Sequence, residues 1–161
     1  MIDATLCYLI KKGEQGKEIL LAKKKRGLGC GKWNGVGGRF DDKVGDKNIV
    51  ETVLREAEEE IGVKIENPKK VAFLSCYFPY KKEWNQNIHV FLAEKWTGEP
   101  RESEEMAPQW FKTDKIPYQD MWEDDKFWLE SVLCEKKVKA SFVFGEGEKI
   151  VEKSIEITKE L

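Results

Sequence analysis

Arg55-Glu-Ala-Glu-Glu-Glu-Ile-Gly-Val63 is the stretch on which the fold turns. Gly62 ends whatever helix precedes it. Reading back from there, Val50, Val53, Leu54, Ala57 and Ile61 recur at helical spacing and form an apolar stripe. Asn48 is a good N-cap, and Glu51 three residues later completes a capping-box-like pattern. At about 100° per residue, Glu56, Glu59 and Glu60 share an arc of about 100° beside that stripe, while Glu58 points to the far side. Three carboxylates so placed repel one another unless a counter-charge sits among them. Hard divalent cations such as Mg²⁺ and Mn²⁺ favour clustered oxygen ligands of this kind. The plain alternative is a solvated helix face. Two features weigh against it: the cluster borders the buried stripe, and an extended segment with Gly35, Gly37 and Gly38 precedes the helix. Such glycines let backbone N–H and C=O groups approach phosphates or a metal.

Outward from this helix, the pattern predicts strands over 4–11 and 18–23 joined by a turn at 13–16. A glycine-rich loop follows at 26–32, then the extended segment 33–40 and a polar loop at 41–47. Beyond the helix, 71–80 and 87–96 read as a hairpin with its loop at 81–86, and 107–111 as a short strand. A second helix is expected over 124–135, carrying Phe127, Trp128, Val132 and Leu133. A last hairpin, 138–144 with 150–158, turns around Gly145 and Gly147. Strands dominate and two helices pack on them, which predicts an α/β (α+β) fold: one domain over 1–161, with a mixed β-sheet sandwiched between helices.

Composition limits what such a domain does. With 161 residues, 40% hydrophobic and 36% charged, the chain is long enough and apolar enough to bury a core. A net charge of −2 argues against coating nucleic acid or an anionic membrane through bulk charge. No apolar run approaches the roughly 20 residues of a membrane helix, and Met1-Ile2-Asp3-Ala4 lacks a signal-peptide pattern. Cys7, Cys30, Cys76 and Cys134 are scattered without a C-x-x-C pair, so reduced thiols in a cytoplasmic protein are expected. Any histidine ligand set or nucleophile–histidine triad would have to pass through His89, the one histidine.

Gly38 followed by R-E-A-E-E-E-I-G-V at 55–63 resembles the Nudix box, G-x5-E-x7-R-E-U-x-E-E-x-G-U with U aliphatic. Every specified position of the second half is matched. In the first half the spacing from Gly38 to Arg55 is three residues longer than the pattern, and the pattern's glutamate falls on Lys47, with Asp46 beside it. The resemblance implies metal-assisted attack of water on a nucleoside diphosphate linked to a further group. It implies Mg²⁺, with Mn²⁺ as a substitute, held by Glu56, Glu59, Glu60 and the Gly37 carbonyl, and Arg55 orienting the carboxylates. Glu105 is a further candidate for the metal, and Glu59 and Glu105 are both candidates for the general base.

Further stretches are similar to the eukaryotic-type MutT branch of that family: K-K-K-R-G-L-G-C-G-K-W-N-G-V-G-G at 23–38, E-S-E-E-M at 102–106, I-P-Y-Q-D-M-W-E-D-D at 116–125 and F-V-F-G at 142–145. They occur in the same order over nearly the whole chain, and the loops at 41–47 and around 81–86 differ. This resemblance implies hydrolysis of oxidised purine nucleoside triphosphates, of the 8-oxo-dGTP and 2-hydroxy-dATP type, to monophosphate and pyrophosphate. Such an activity clears the nucleotide pool of damage otherwise built into DNA. The implied purine site is Asn34, Trp122, Asp124 and Asp125, with Thr5, Phe78 and Phe144 close by. Trp122 offers a face for stacking, Asn34 both donor and acceptor, and two adjacent carboxyls a shared proton. Read alone, W-E-D-D is an ordinary acidic helix start. Leu28 stands where that branch has an aromatic residue in the glycine loop. Lys24 and Arg39 are each a phosphate ligand or a surface charge, and His89 reads as structural. The partner expected is a small nucleotide bound by a monomer, without a stable nucleic-acid partner or membrane. Competing readings are a Nudix hydrolase for another nucleoside diphosphate derivative, a non-catalytic nucleotide- or RNA-binding Nudix module, and a metal-binding structural protein.

Overall fold

Alternation along the first strand, β1 (Ile2–Gly13), sends Tyr8 and Ile10 to one side and Cys7 and Leu9 to the other. That strand therefore feeds both halves of the core. The computed structural model describes all 161 residues. In chain order the remaining elements are β2 (Gly16–Lys24), β3 (Trp33–Asn34), α1 (Ile49–Ile61), β4 (Lys64–Glu66), β5 (Lys69–Tyr77) and β6 (Gln86–Ala93). They are followed by β7 (Lys95–Thr97), β8 (Met106–Lys112), α2 (Asp125–Leu133), β9 (Lys137–Gly145) and β10 (Lys149–Thr158). Eight strands form one mixed sheet in the order β10-β9-β5-β6-β1-β2-β3, with β8 also on β2. β1–β6 and β5–β9 are parallel and the other pairs antiparallel.

One face of the sheet packs on α2 through Trp128, Leu129 and Val132, in a cluster of 19 buried residues. The opposite face packs on α1 through Val53, Ala57 and Ile61, in a cluster of 13. The expected sheet between helices is thus the fold found. No helix is long and apolar enough to cross a membrane.

Four details depart from the sequence reading. Val50 is 38% exposed, while Thr52, a polar residue outside the expected stripe, is fully buried; its hydroxyl is bonded to Asp46, which makes burial tolerable. Asn48 caps α1 by accepting from the Glu51 N–H, but the Glu51 carboxylate returns to the N–H of Lys47 instead of Asn48. The strand expected over 87–96 breaks after Ala93, and β7 pairs with β4 in a separate ribbon; three residues of β4 are too few to carry a periodic signal. The strand expected over 71–80 ends at Tyr77, so Phe78 leaves the ladder.

The segment after β3 is stitched to β1. Cys7 and Val36 exchange backbone hydrogen bonds of 2.6 and 3.0 Å, and the Thr5 N–H donates to the Gly38 carbonyl at 2.9 Å. Close approach demands glycine at 37, where a Cβ would lie 1.9 Å from the Thr5 carbonyl oxygen. This seam brings the glycine segment under the carboxylates of α1.

Candidate active site: a carboxylate helix and an aromatic pocket in one cleft

Arg55 organises the acidic end. Its Nε and Nη2 donate to the two oxygens of Asp46 at 2.9 and 2.8 Å, its Nη1 to Glu56 at 2.9 Å and more loosely to Glu59 at 3.5 Å, and its Nη2 to the Arg39 carbonyl at 3.2 Å. Asp46 is 6% exposed and also accepts from Thr52 Oγ1 at 2.9 Å and the Asp41 N–H at 3.1 Å. The Arg55 guanidinium holds the Asp46 carboxyl well below the usual carboxylate range. Asp46, one residue ahead of the pattern's glutamate position, is therefore the carboxylate that grips Arg55, and Lys47 is exposed. Its only sequence signal was its place beside Lys47, in a loop whose length left the register open.

Glu60 is 7% exposed and accepts from the Gly37 N–H at 3.4 Å. Burial, the neighbouring Glu56 charge and the Glu105 charge across the cleft push its pKa far above the usual carboxylate range. A Cβ on Gly38 would come within 2.3 Å of Glu56 Oε1, so that glycine makes room for the carboxylate. Glu59 lies outermost, its side chain 60% exposed and held only through Arg55. The three glutamates do not converge as a ready three-ligand set. Glu56 and Glu60 do sit together as hard oxygen donors, and Glu60 is forced toward its neutral form for want of a positive neighbour. That donor set fits a Mg²⁺- or Mn²⁺-sized cation, and the Gly37 carbonyl accepts no hydrogen bond from the protein.

The cleft continues from Glu60 past Gly37, Gly38, Arg39, Lys24 and Glu105. Glu105 is half-exposed and held by Arg26 Nη2 at 3.2 Å. Lys25 anchors the same loop through Glu102 and the Ser103 carbonyl.

At its inner end the cleft, of about 230 Å³, is lined by Asn34, Trp122, Asp124, Asp125, Phe78 and Phe144, with Leu28 and Cys76 in the wall. Asn34 Oδ1 accepts from the Tyr8 hydroxyl at 3.1 Å and from the Gly35 N–H at 2.8 Å. Both partners are donors, so the carbonyl oxygen is fixed there and the amide NH₂ is left as a donor. Asp124 accepts from Trp128 Nε1 at 2.9 Å, whereas Asp125 Oδ2 is buried without a partner. Burial raises the pKa of both, and Asp125 further because the Asp124 carboxylate is beside it. Both carboxyls are buried outright, at 5% and 2% exposure, because Trp128 and Leu129 carry the start of α2 into the core. Phe78 and Phe144 stack at 4.8 Å and 6°, and Trp122 meets both edge-on at 6.1 and 5.8 Å. Thr5 lines the cleft too, its hydroxyl donating to the Gly38 carbonyl and accepting from the Gly38 N–H, both at 3.3 Å. Tyr8, Cys76 and Gly29 escaped the sequence reading, since buried strand residues and one more loop glycine carry no distinguishing pattern. A Cβ at Gly29 would meet Trp122 Nε1 at 2.9 Å. His89 lies outside the cleft, bridging Lys70 Nζ at 2.8 Å and Asp3 Oδ1 at 3.0 Å.

An acidic helix seated over a glycine segment on a mixed sheet defines the class: the chain belongs to the NUDIX domain family, whose model matches residues 2–132. Two curated relatives narrow the comparison. The oxidized purine nucleoside triphosphate hydrolase of Mus musculus is 38% identical over 141 residues, covering 88% of each chain. That of Danio rerio is 36% identical over 161 residues and covers all of both chains. Among solved structures, a mutator MutT protein from Bacillus halodurans superposes with a TM-score of 0.81 at 24% identity, covering 97% of this chain and 98% of that one, and shares the fold.

Proposed function

We propose that this protein is a Mg²⁺-dependent pyrophosphohydrolase that converts oxidised purine nucleoside triphosphates to the monophosphate and pyrophosphate. The observation that carries the reading is continuity: one cleft joins the Asn34, Trp122, Asp124 and Asp125 pocket to Glu60, Glu105, Lys24 and Arg39. What the mouse and zebrafish relatives are named for supports the same substrate class.

The Asn34 NH₂ donates to an acceptor on the base edge. The Asp124–Asp125 pair supplies an acid or a carboxylate as the base requires, and the unpartnered Asp125 Oδ2 gains a partner when the pocket fills. Trp122 and the Phe78–Phe144 stack provide apolar walls. Lys24 and Arg39 meet the phosphates. Glu56, Glu60 and the Gly37 carbonyl, joined by Glu59 once its exposed side chain turns inward, would hold Mg²⁺, which would neutralise phosphate charge and acidify the attacking water. Arg55 fixes Glu56 in place. Glu105 lines the cleft, whereas Glu59 is exposed and does not, so Glu105 is better placed to take the water's proton. Four free cysteines suit a reducing, cytoplasmic setting.

The test is pyrophosphate release with Mg²⁺ from 8-oxo-dGTP, 2-hydroxy-dATP, dGTP and dATP, with Glu59→Gln and Glu56→Gln as controls. Preference for the oxidised purines, lost with both variants, is expected. Turnover of unoxidised nucleotides alone would keep the metal site and remove the purine assignment. Binding without turnover would indicate a non-catalytic module.

A further inference from the structure

The wall of the base pocket depends on a loop that the resemblance does not cover. Phe78 follows β5 directly, where the ladder has ended at the Cys76–Gln86 pair. Its backbone is held by the loop instead. The Phe78 N–H donates to Asn85 Oδ1 at 2.6 Å, and the Phe78 carbonyl accepts from the Lys81 N–H at 2.9 Å. The same loop lays Trp84 edge-on against the Phe78 ring at 5.6 Å and 86°, and Trp84 itself does not line the cleft. Lys81 Nζ caps the Trp84 ring at 4.3 Å. The loop is itself closed by hydrogen bonds from the Trp84 and Asn85 N–H groups to the Lys81 and Lys82 carbonyls, both 3.0 Å. The next residue, Gln86, lines the cleft.

We infer that Asn85 is a positioning residue for base selection: through the Phe78 N–H it sets where the Phe78–Phe144 stack stands against Trp122. The inference rests on the nucleotide pocket proposed above. An asparagine side chain replacing a ladder bond is specific in position, because an amide oxygen placed elsewhere leaves a buried N–H unpaired. Neither Asn85 nor Trp84 lines the cleft, and both touch Phe78, so their loss acts on the base-dependent part of catalysis.

The experiment compares kcat/KM for 8-oxo-dGTP, dGTP and dTTP in the wild type, Asn85→Ala, Asn85→Asp and Trp84→Phe, with thermal unfolding of each. In Asn85→Ala the spread between the best and worst nucleotide should narrow about five- to tenfold, the size of one lost hydrogen bond. That loss should appear in KM, with kcat retained. Asn85→Asp keeps the acceptor oxygen and Trp84→Phe keeps the ring edge, and both should restore the spread. A parallel fall for all three nucleotides, an unchanged spread, or Asn85→Asp behaving like Asn85→Ala would overturn the inference. If the wild type itself prefers another base, the proposed substrate fails. The Asn85→Ala and Asn85→Asp contrast still reads on whichever base is preferred.

Discussion

Replacing Asp46 with alanine should loosen the carboxylate helix from a position outside the Nudix pattern. Its carboxylate accepts two hydrogen bonds from Arg55, at 2.9 and 2.8 Å, one from Thr52 and one from the Asp41 N–H. Removal strands a guanidinium only 21% exposed and a fully buried hydroxyl. Deleting one partner of a buried ion pair costs about 3–5 kcal/mol. Arg55 retains Glu56 and Glu59, so the lower end applies and the loss is about 3 kcal/mol. At about 2–4 °C per kcal/mol for a chain of this size, Tm should fall by roughly 6–12 °C at pH 7. Asp46→Asn, which keeps an acceptor for Thr52, should lose less. The acid dependence has a definite sign. The folded-state pKa of Asp46 is depressed, so its stabilisation is complete above the unfolded value near ~3.9 and is lost as pH falls through and below it. The gap in Tm between wild type and Asp46→Ala, followed by circular dichroism, should therefore shrink from about pH 5 toward pH 2. An unchanged Tm at pH 7, or a gap that widens in acid, would refute the assignment.

Gly38→Ala should weaken Mg²⁺ dependence about 10- to 100-fold, since its Cβ would displace Glu56 from 2.3 Å away; a Mg²⁺ titration of activity reads this. Glu60→Gln should raise Tm in chelator at pH 8, where the wild type must bury a raised-pKa carboxylate, and should abolish turnover. Asp124→Asn should impair 8-oxo-dGTP turnover selectively; equal losses on dGTP would count against proton sharing in base choice. Asp125→Asn should flatten the pH dependence of Tm. Because burial raises the Asp125 pKa, the stability its protonated form contributes in acid is lost as pH rises above the unfolded value, and asparagine has no proton to lose.

Local chemistry with a strong period was legible. Val53, Ala57 and Ile61 and the caps at Asn48 and Gly62 defined α1, and its spacing alone grouped Glu56, Glu59 and Glu60. What the spacing did not reveal was their inequality. Glu60 is buried against Gly37, Glu56 is bonded to Arg55 and Glu59 stands in solvent, a difference set by what packs on α1 from elsewhere in the chain. The pocket residues Asn34 and Asp125 came from a resemblance; the hydrogen-bonding state of Asn34 came only with Tyr8, 26 residues away in sequence, and that of Asp125 only with the burial that leaves its Oδ2 without a partner. Asp46 was hidden by an irregular loop, whose 3-10 turn at Asp42–Val44 and left-handed Gly45 set the register that no periodicity reports. Asn85 was hidden for the same reason.

The seam between β1 and the glycine segment acts as a ruler. Asn34, proposed to meet the base, and Gly37, proposed to offer its carbonyl to the metal, stand three residues apart on one extended stretch, a span of about 10 Å at ~3.3 Å per residue. Pairing with Ala22 on β2 holds the Asn34 end, and the backbone bonds of Cys7 to Val36 and of Thr5 to Gly38 hold the other. Its length is therefore set by the peptide unit and is independent of any side chain. Under the proposed function, the walls of the pocket are free to change the base that is read, while the phosphate presented for cleavage stays the same.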